Sequence, residues 1–155
     1  MVDENHMPVE QDNVRTLMYY LGLAVDERLT QLRKGTPYEK VRPSDARVFV
    51  RALRHSQTIS EIARELQITR QAAQMSVQRL LKLGVLKLQT IEGNKRDKLV
   101  VVTPRGMLAS KTAGQQVSLV EKEFAALIGK DKVEEFRHML VILLDGMQNK
   151  LKPRA

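Results

Sequence analysis

The stretch that most constrains this chain lies between residues 58 and 106, where the hydrophobic period changes. In Thr58-Ile59-Ser60-Glu61-Ile62-Ala63-Arg64-Glu65-Leu66 the apolar positions 59, 62, 63 and 66 form one helical stripe, and Thr58 followed by Glu61 has capping-box spacing. Three residues on, Thr69 can cap a helix running from Arg70 to Leu83, with Ala73, Val77, Leu80 and Leu81 inward and Gly84 closing it. After Gly84 the period drops to two. Val85, Leu86, Leu88 and Ile91 alternate loosely with Lys87, Gln89 and Thr90. Glu92-Gly93-Asn94-Lys95-Arg96-Asp97 is a polar tip, and Lys98-Leu99-Val100-Val101-Val102 is a β-branched return.

Two short helices joined by a tight turn and followed at once by a hairpin with a basic, flexible tip is the order of a winged helix-turn-helix. The flanks are helical. Val14, Leu17, Met18, Leu21, Val25, Leu29 and Leu32 recur at steps of three and four until Gly35-Thr36-Pro37, and Val48, Phe49, Ala52 and Leu53 mark a shorter helix after Arg42-Pro43-Ser44. Thr103-Pro104 fits a cap followed by proline at the first helical position, and the helix it opens runs to about Ile128. Gly129-Lys130-Asp131 breaks before a last helix, where Asp131 and Glu134 have capping-box spacing and Val133, Phe136, Leu140, Leu143, Leu144, Met147 and Leu151 form the stripe. The expected fold is mainly α with a small β-hairpin wing. Residues 1–12 read as a flexible leader and 13–155 as a single domain, with a winged lobe at 43–106 between helical flanks at 13–42 and 107–155.

Composition narrows the function. The 155 residues carry 26 Lys+Arg against 18 Asp+Glu and no Cys, which removes disulfides, thiol switches and Cys-ligated zinc. The N-terminus is acidic and polar where a signal peptide would be basic and then apolar, so a soluble cytoplasmic protein is expected. The charge is uneven: residues 58–106 hold 9 basic against 4 acidic side chains, more of the excess than any other segment. A basic block on a folded segment points to a polyanion such as nucleic acid, although a solvated basic surface has the same composition.

The second helix of the pair is the candidate reader of duplex DNA. A helix can enter the major groove N-terminus first while the hairpin tip reaches the flanking minor groove. Arg70, Gln71 and Gln74 lie in its first turn and a half, and Arg and Gln can make paired contacts with guanine and adenine edges. Thr69 joins them at the helix start. Ser60, Ser76 and Arg79 are placed to meet phosphates, and Lys95, Arg96 and Lys98 form the positive wing tip. Each has a plainer reading: polar helix positions are often only solvated, and lysine at a strand edge protects against aggregation, a rival role for Lys98.

The run from Thr58 to Gly106 resembles the DNA-binding lobe of the MarR family, the multiple-antibiotic-resistance type of bacterial regulators. Three stretches carry the resemblance: Ile62-Ala63-Arg64-Glu65-Leu66, then Ile68-Thr69-Arg70-Gln71-Ala72-Ala73 reaching Gly84, and the wing ending in Lys98-Leu99-Val100-Val101-Val102-Thr103-Pro104-Arg105-Gly106. The helix before this run, from Arg42 to Leu53, resembles the family's second helix, and nearly the whole chain fits the family's arrangement. Two departures stand out. The family's wing commonly carries Asp-x-Arg, where this chain has Asn94-Lys95-Arg96. The helix-turn-helix turn has Gln67 where such motifs often have Gly; a left-handed conformation there would cost about 1 kcal/mol.

The resemblance implies a homodimeric repressor whose first and last two helices are dimerisation elements, with half-sites about 10 bp apart in a palindromic operator. The terminal stripes could also pack on their own subunit. It further implies a small aromatic or carboxylate effector in a cleft between the dimerisation helices and the DNA lobe. No ligand residue is assigned; Tyr19 and Tyr20 could line such a cleft, with ordinary packing as the alternative.

An enzyme is not expected, nor a cofactor or metal. His6, His55 and His138 lie far apart, and no Gly-rich phosphate loop or Gly-x-Ser-x-Gly elbow occurs. The remaining rival is a winged-helix module that binds protein or RNA without reading DNA sequence. Such a surface should expose an apolar cluster on the second helix, where Met75 is the outward candidate.

Overall fold

The computed structural model describes residues 12–151, so the expected leader lies outside the described residues apart from Asp12. The chain divides into two compact units, Met1–Gly114 and Gln115–Ala155. As expected, it is mainly helical with a small antiparallel sheet. Among the described residues no helix is long and apolar enough to cross a membrane.

The first unit opens with α1 (Val14–Arg33), capped by Asn13, whose Oδ1 accepts from the Thr16 N–H at 3.0 Å. The chain leaves α1 through Gly35, which has a positive φ of 75°. Helix α2 (Pro43–Arg54) starts with proline at its first position, where no intrahelical N–H is needed. Helix α3 (Ile59–Glu65) has the expected capping box: Glu61 N–H donates to Thr58 Oγ1 at 3.3 Å, and Thr58 N–H donates to Glu61 Oε2 at 2.7 Å. Those bonds from the Thr58 N–H and hydroxyl hold the Glu61 carboxyl below its ordinary pKa. Gln67, between α3 and α4 (Arg70–Lys82), has φ 54° and is the non-glycine residue there in the left-handed region.

A strand not anticipated from the sequence, β1 (Gln57–Thr58), pairs with β3 (Asn94–Val102), which also pairs with β2 (Leu86–Ile91); the sheet order is β1-β3-β2, all antiparallel. Two residues have no readable period, and only β3 makes them a strand. The turn between β2 and β3 is shorter than expected: it consists of Glu92 and Gly93, and pairing resumes at Asn94 after an irregularity at Thr90/Ile91.

The core gathers Val48, Phe49 and Ala52 of α2, Ile62 of α3, Val77 and Leu80 of α4, and Val85, Leu86 and Val100 around the sheet, with Ala109 of α5. The sheet is sealed onto α5 (Pro104–Ile128) at a close approach. Thr103 N–H donates to Val85 O at 3.1 Å, Thr103 Oγ1 donates to Gly84 O at 2.7 Å, and Gly106 N–H donates back to Thr103 Oγ1 at 3.0 Å. A Cβ on Gly106 would lie 2.2 Å from Val85 O, so this backbone contact requires glycine.

The second unit contains the rest of α5 and α6 (Lys130–Leu151), separated by Gly129 at φ 90°. Helix α6 begins at Lys130, so Asp131 lies inside its first turn and the expected capping box at Asp131 does not form; Gly129 O instead accepts from the Val133 N–H at 3.2 Å. Val133 and Val120 are buried, and Arg137 of α6 pairs with Glu121 of α5 at 3.0 Å. Further along α6 the stripe is uncovered: Leu140, Leu143, Leu144, Met147 and Leu151 are all exposed.

Candidate nucleic-acid interface

Helix α4 presents its surface in a simple helical order. Ala73, Ser76, Val77 and Leu80 are buried, which places Gln71, Met75, Gln78 and Lys82 on the opposite, outermost line. Arg70 and Gln74 flank that line toward the wing. Thr69 caps the helix, its Oγ1 accepting from the Ala72 N–H at 3.1 Å. The first turn holds no acidic side chain, so nothing neutralises the partial positive charge of the helix start.

Between α3, α4 and the wing lies an open cleft of about 160 Å³. Its walls bring together five of the expected contact residues: Ser60 from α3, Arg70 and Gln74 from α4, and Arg96 and Lys98 from β3. Thr58, Ile59, Leu88 and Asp97 complete the lining. Three cations against one carboxylate give the cleft a net positive field, suited to a polyanion. Thr69 and Gln71 are exposed beside the cleft rather than in it. Lys95 lies on β3, and its side chain is outside the described residues.

One expected phosphate contact, Ser76, is corrected, and a second, Arg79, is found paired inside the protein on one side. Ser76 is only 2% exposed, and its hydroxyl accepts from Arg79 Nη2 at 3.2 Å and bonds to Asp45. Arg79 is engaged by the same carboxylate: its Nε lies 3.1 and 3.0 Å from the two Asp45 oxygens and its Nη2 2.6 Å from Oδ1. Both residues join a brace between α2 and α4, Ser76 wholly inside it and Arg79 with its side chain still partly exposed. The misreading has a clear cause, because polar spacing on α4 identifies candidates for an exposed face but does not show which neighbour supplies a buried carboxylate.

Asp45 is the residue sequence reasoning missed. It is 1% exposed, at the third position of α2, where its Oδ2 also accepts from the Arg42 N–H at 3.2 Å. Burial alone would push its carboxyl up; bonds from Arg79, Ser76 and the Arg42 N–H, with the Arg79 charge, outweigh burial and hold it below its ordinary value. The bond to Asp45 raises Arg79 in turn.

The wing shows how Arg96 is held without the family's aspartate. Asn94 Oδ1 accepts from the Arg96 N–H at 2.9 Å and the Asp97 N–H at 3.1 Å, while Asn94 Nδ2 donates to Asp97 Oδ2 at 3.2 Å. A carboxylate could accept the first two bonds but could not donate the third. The amide therefore orders the backbone of Arg96 and restrains Asp97 at once. Asn94 carried a local signal in the sequence as a turn-forming residue.

The MarR family model matches residues 43–97, from the start of α2 to Asp97 on the wing. Among solved structures, a MarR transcriptional regulator from Methanosarcina mazei Go1 is 15% identical, with TM-score 0.77 over 89% of this chain and 98% of that one. Wild-type MarR from E. coli in its apo form is 18% identical, with TM-score 0.74 over 86% and 97% of the two chains. A MarR-family regulator from Rhodococcus sp. RHA1 is 18% identical, with TM-score 0.71 over 86% and 94%. At these identities the likeness is one of fold. No curated protein matches the chain. The resemblance to the MarR family and the winged helix-turn-helix fold expected from the sequence are both found.

Proposed function

For a chain with the fold of MarR-family regulators and a match to that family over residues 43–97, we propose a homodimeric, sequence-specific regulator of transcription that binds double-stranded DNA and represses from a palindromic operator. The observation that carries this reading is the cleft that joins Arg70 and Gln74 of α4 to Arg96 and Lys98 of the wing. It pairs a helix able to read base edges with cations able to meet phosphate and minor groove. In this reading residues 43–106 form the DNA-binding lobe, residues 13–42 and 107–155 dimerise, and the protein works in the cytoplasm by binding rather than catalysis.

Dimerisation is supported by apolar surface that a lone chain leaves in water. Val14, Leu17, Met18 and Leu21 on α1 are exposed, as are Leu140, Leu143, Leu144 and Met147 on α6. A second copy covering these faces gives a two-fold dimer whose recognition helices meet successive major grooves about 10 bp apart.

Relief by a small aromatic or carboxylate effector completes the proposal. An open cleft of about 280 Å³ beside α2 is lined by Ala46, Val50 and Leu66 with Arg47, Arg51, Arg54 and Asp26; Arg47 pairs with Asp26 and Arg51 with Glu65, so Arg54 is the cation we assign to an aromatic carboxylate there. Unchanged operator binding across a panel of phenolic and carboxylate metabolites would remove this part.

The test of the central claim is selection from a randomised duplex pool, followed by anisotropy titration at two salt concentrations. Enrichment of a palindrome with a steep salt dependence is expected. Salt-sensitive binding without an enriched sequence would replace the reading with a basic architectural or RNA-binding protein, and no binding at low salt with a protein-interaction module.

A further inference from the structure

The outermost line of α4 is Gln71, Met75, Gln78 and Lys82, and three of these four side chains are polar or charged. Met75 is the exception. It is 50% exposed, one turn from Gln71 and just under one turn from Gln78, on the side of the helix opposite the buried Ala73, Val77 and Leu80. The DNA-reading function proposed above directs this line at base edges in the major groove. The apolar feature on those edges is the C5-methyl group of thymine. A thioether on a long, unbranched stem can reach a methyl group and pack on it without demanding a fixed direction. Its two glutamine neighbours point the same way: Gln suits paired hydrogen bonds to the N6 and N7 of adenine, and every adenine in a duplex brings a thymine methyl into the same groove.

We propose that Met75 is a specificity-determining residue that packs on a thymine methyl group, so that each operator half-site contains one thymine whose 5-methyl is required. The proposal rests on the DNA-reading function, and the test keeps the two separable. The probe is the palindrome enriched by selection from the randomised pool, remade as a series in which each thymine in turn is replaced by deoxyuridine, which lacks only the methyl group. Dissociation constants are measured at one salt concentration for the wild type, Met75→Leu and Met75→Gln.

For the wild type, one thymine per half-site should lose about fourfold in affinity on demethylation, the worth of roughly one buried methyl group, and about fifteenfold when both half-sites are changed. Met75→Leu should keep this sensitivity, and Met75→Gln should bind the thymine and deoxyuridine operators equally. Because Met75 is exposed, neither substitution disturbs the core. A flat deoxyuridine series for the wild type, or the same loss in Met75→Gln, would overturn the assignment while leaving the DNA reader intact. Failure of selection to enrich any sequence would overturn the reader and this assignment together.

Discussion

Asp45 and Arg79, 34 residues apart in sequence, meet in an ion pair that is almost wholly buried on the aspartate side and 30% exposed on the arginine side. The pair ties the first turn of α2 to the second half of α4, and so braces the helix that carries Arg70, Gln71 and Gln74.

The asymmetry of exposure sets the first prediction. Arg79→Ala leaves a carboxylate buried without its main partner and should cost about 3 kcal/mol. Asp45→Asn leaves an arginine that can turn to water and should cost less, about 1–2 kcal/mol. In the wild type the Asp45 carboxyl is held below its ordinary value, so its contribution to stability is present above the unfolded value of about 3.9 and is lost as pH falls through the folded one. In Arg79→Ala, burial should instead raise that carboxyl, and the penalty relative to wild type should shrink as pH falls from 7 toward 4. Urea unfolding of both variants at several pH values checks this; equal, pH-independent losses would show that the pair does not brace α4.

Gly106 gives a steric prediction. The Cβ of Gly106→Ala would stand 2.2 Å from Val85 O and 2.7 Å from Val102 Cγ1, contacts that only a shift of the strand end or of α5 can relieve. Thermal or urea unfolding should show a loss of about 2 kcal/mol or more, at the upper part of the range for overpacked sites. A variant as stable as wild type would mean that this junction yields easily.

The wing can be tested through Asn94. Asn94→Ala removes both bonds that order the Arg96 and Asp97 N–H groups, yet touches no core side chain. Stability should change by about 1 kcal/mol or less, while operator affinity falls several-fold through the entropy of an unrestrained Arg96. Asn94→Asp should retain the two accepted bonds but face the Asp97 carboxylate, and its affinity deficit relative to wild type at the same salt should shrink as added salt screens that repulsion. Identical titrations for all three proteins would separate Asn94 from Arg96 function.

Arg70 and Arg96 line one cleft but should fail differently. Arg70→Ala should lose discrimination between operator and mismatched duplex while keeping nonspecific affinity. Arg96→Ala should weaken binding at most operators and reduce the slope of log affinity against log salt by about one unit, the signature of one lost counterion contact. Unchanged preference in Arg70→Ala would remove it from the reading set.

Local physics explains what was legible from the residues alone. The capping box of Thr58 and Glu61, the caps Thr69 and Thr103, and the period changes around Gly84 involve groups a few residues apart, so each announces itself in the order of the letters. The left-handed φ of Gln67 falls at the turn position where such motifs often have Gly. Ser76 and Arg79 lie at equally good helical spacing, yet the fold turns both toward Asp45, a carboxylate on another helix and 34 residues before Arg79. Strand β1 exists because β3 pairs with it, and Gly106 is required because Val85 O approaches it from across the sheet end. Sequence alone determined the helices, the caps of α3 and α4 and the winged order, because those follow from neighbouring residues. Only the tertiary structure decided which polar side chains of α4 remain available to a partner, because that depends on burial and charge supplied by distant parts of the chain.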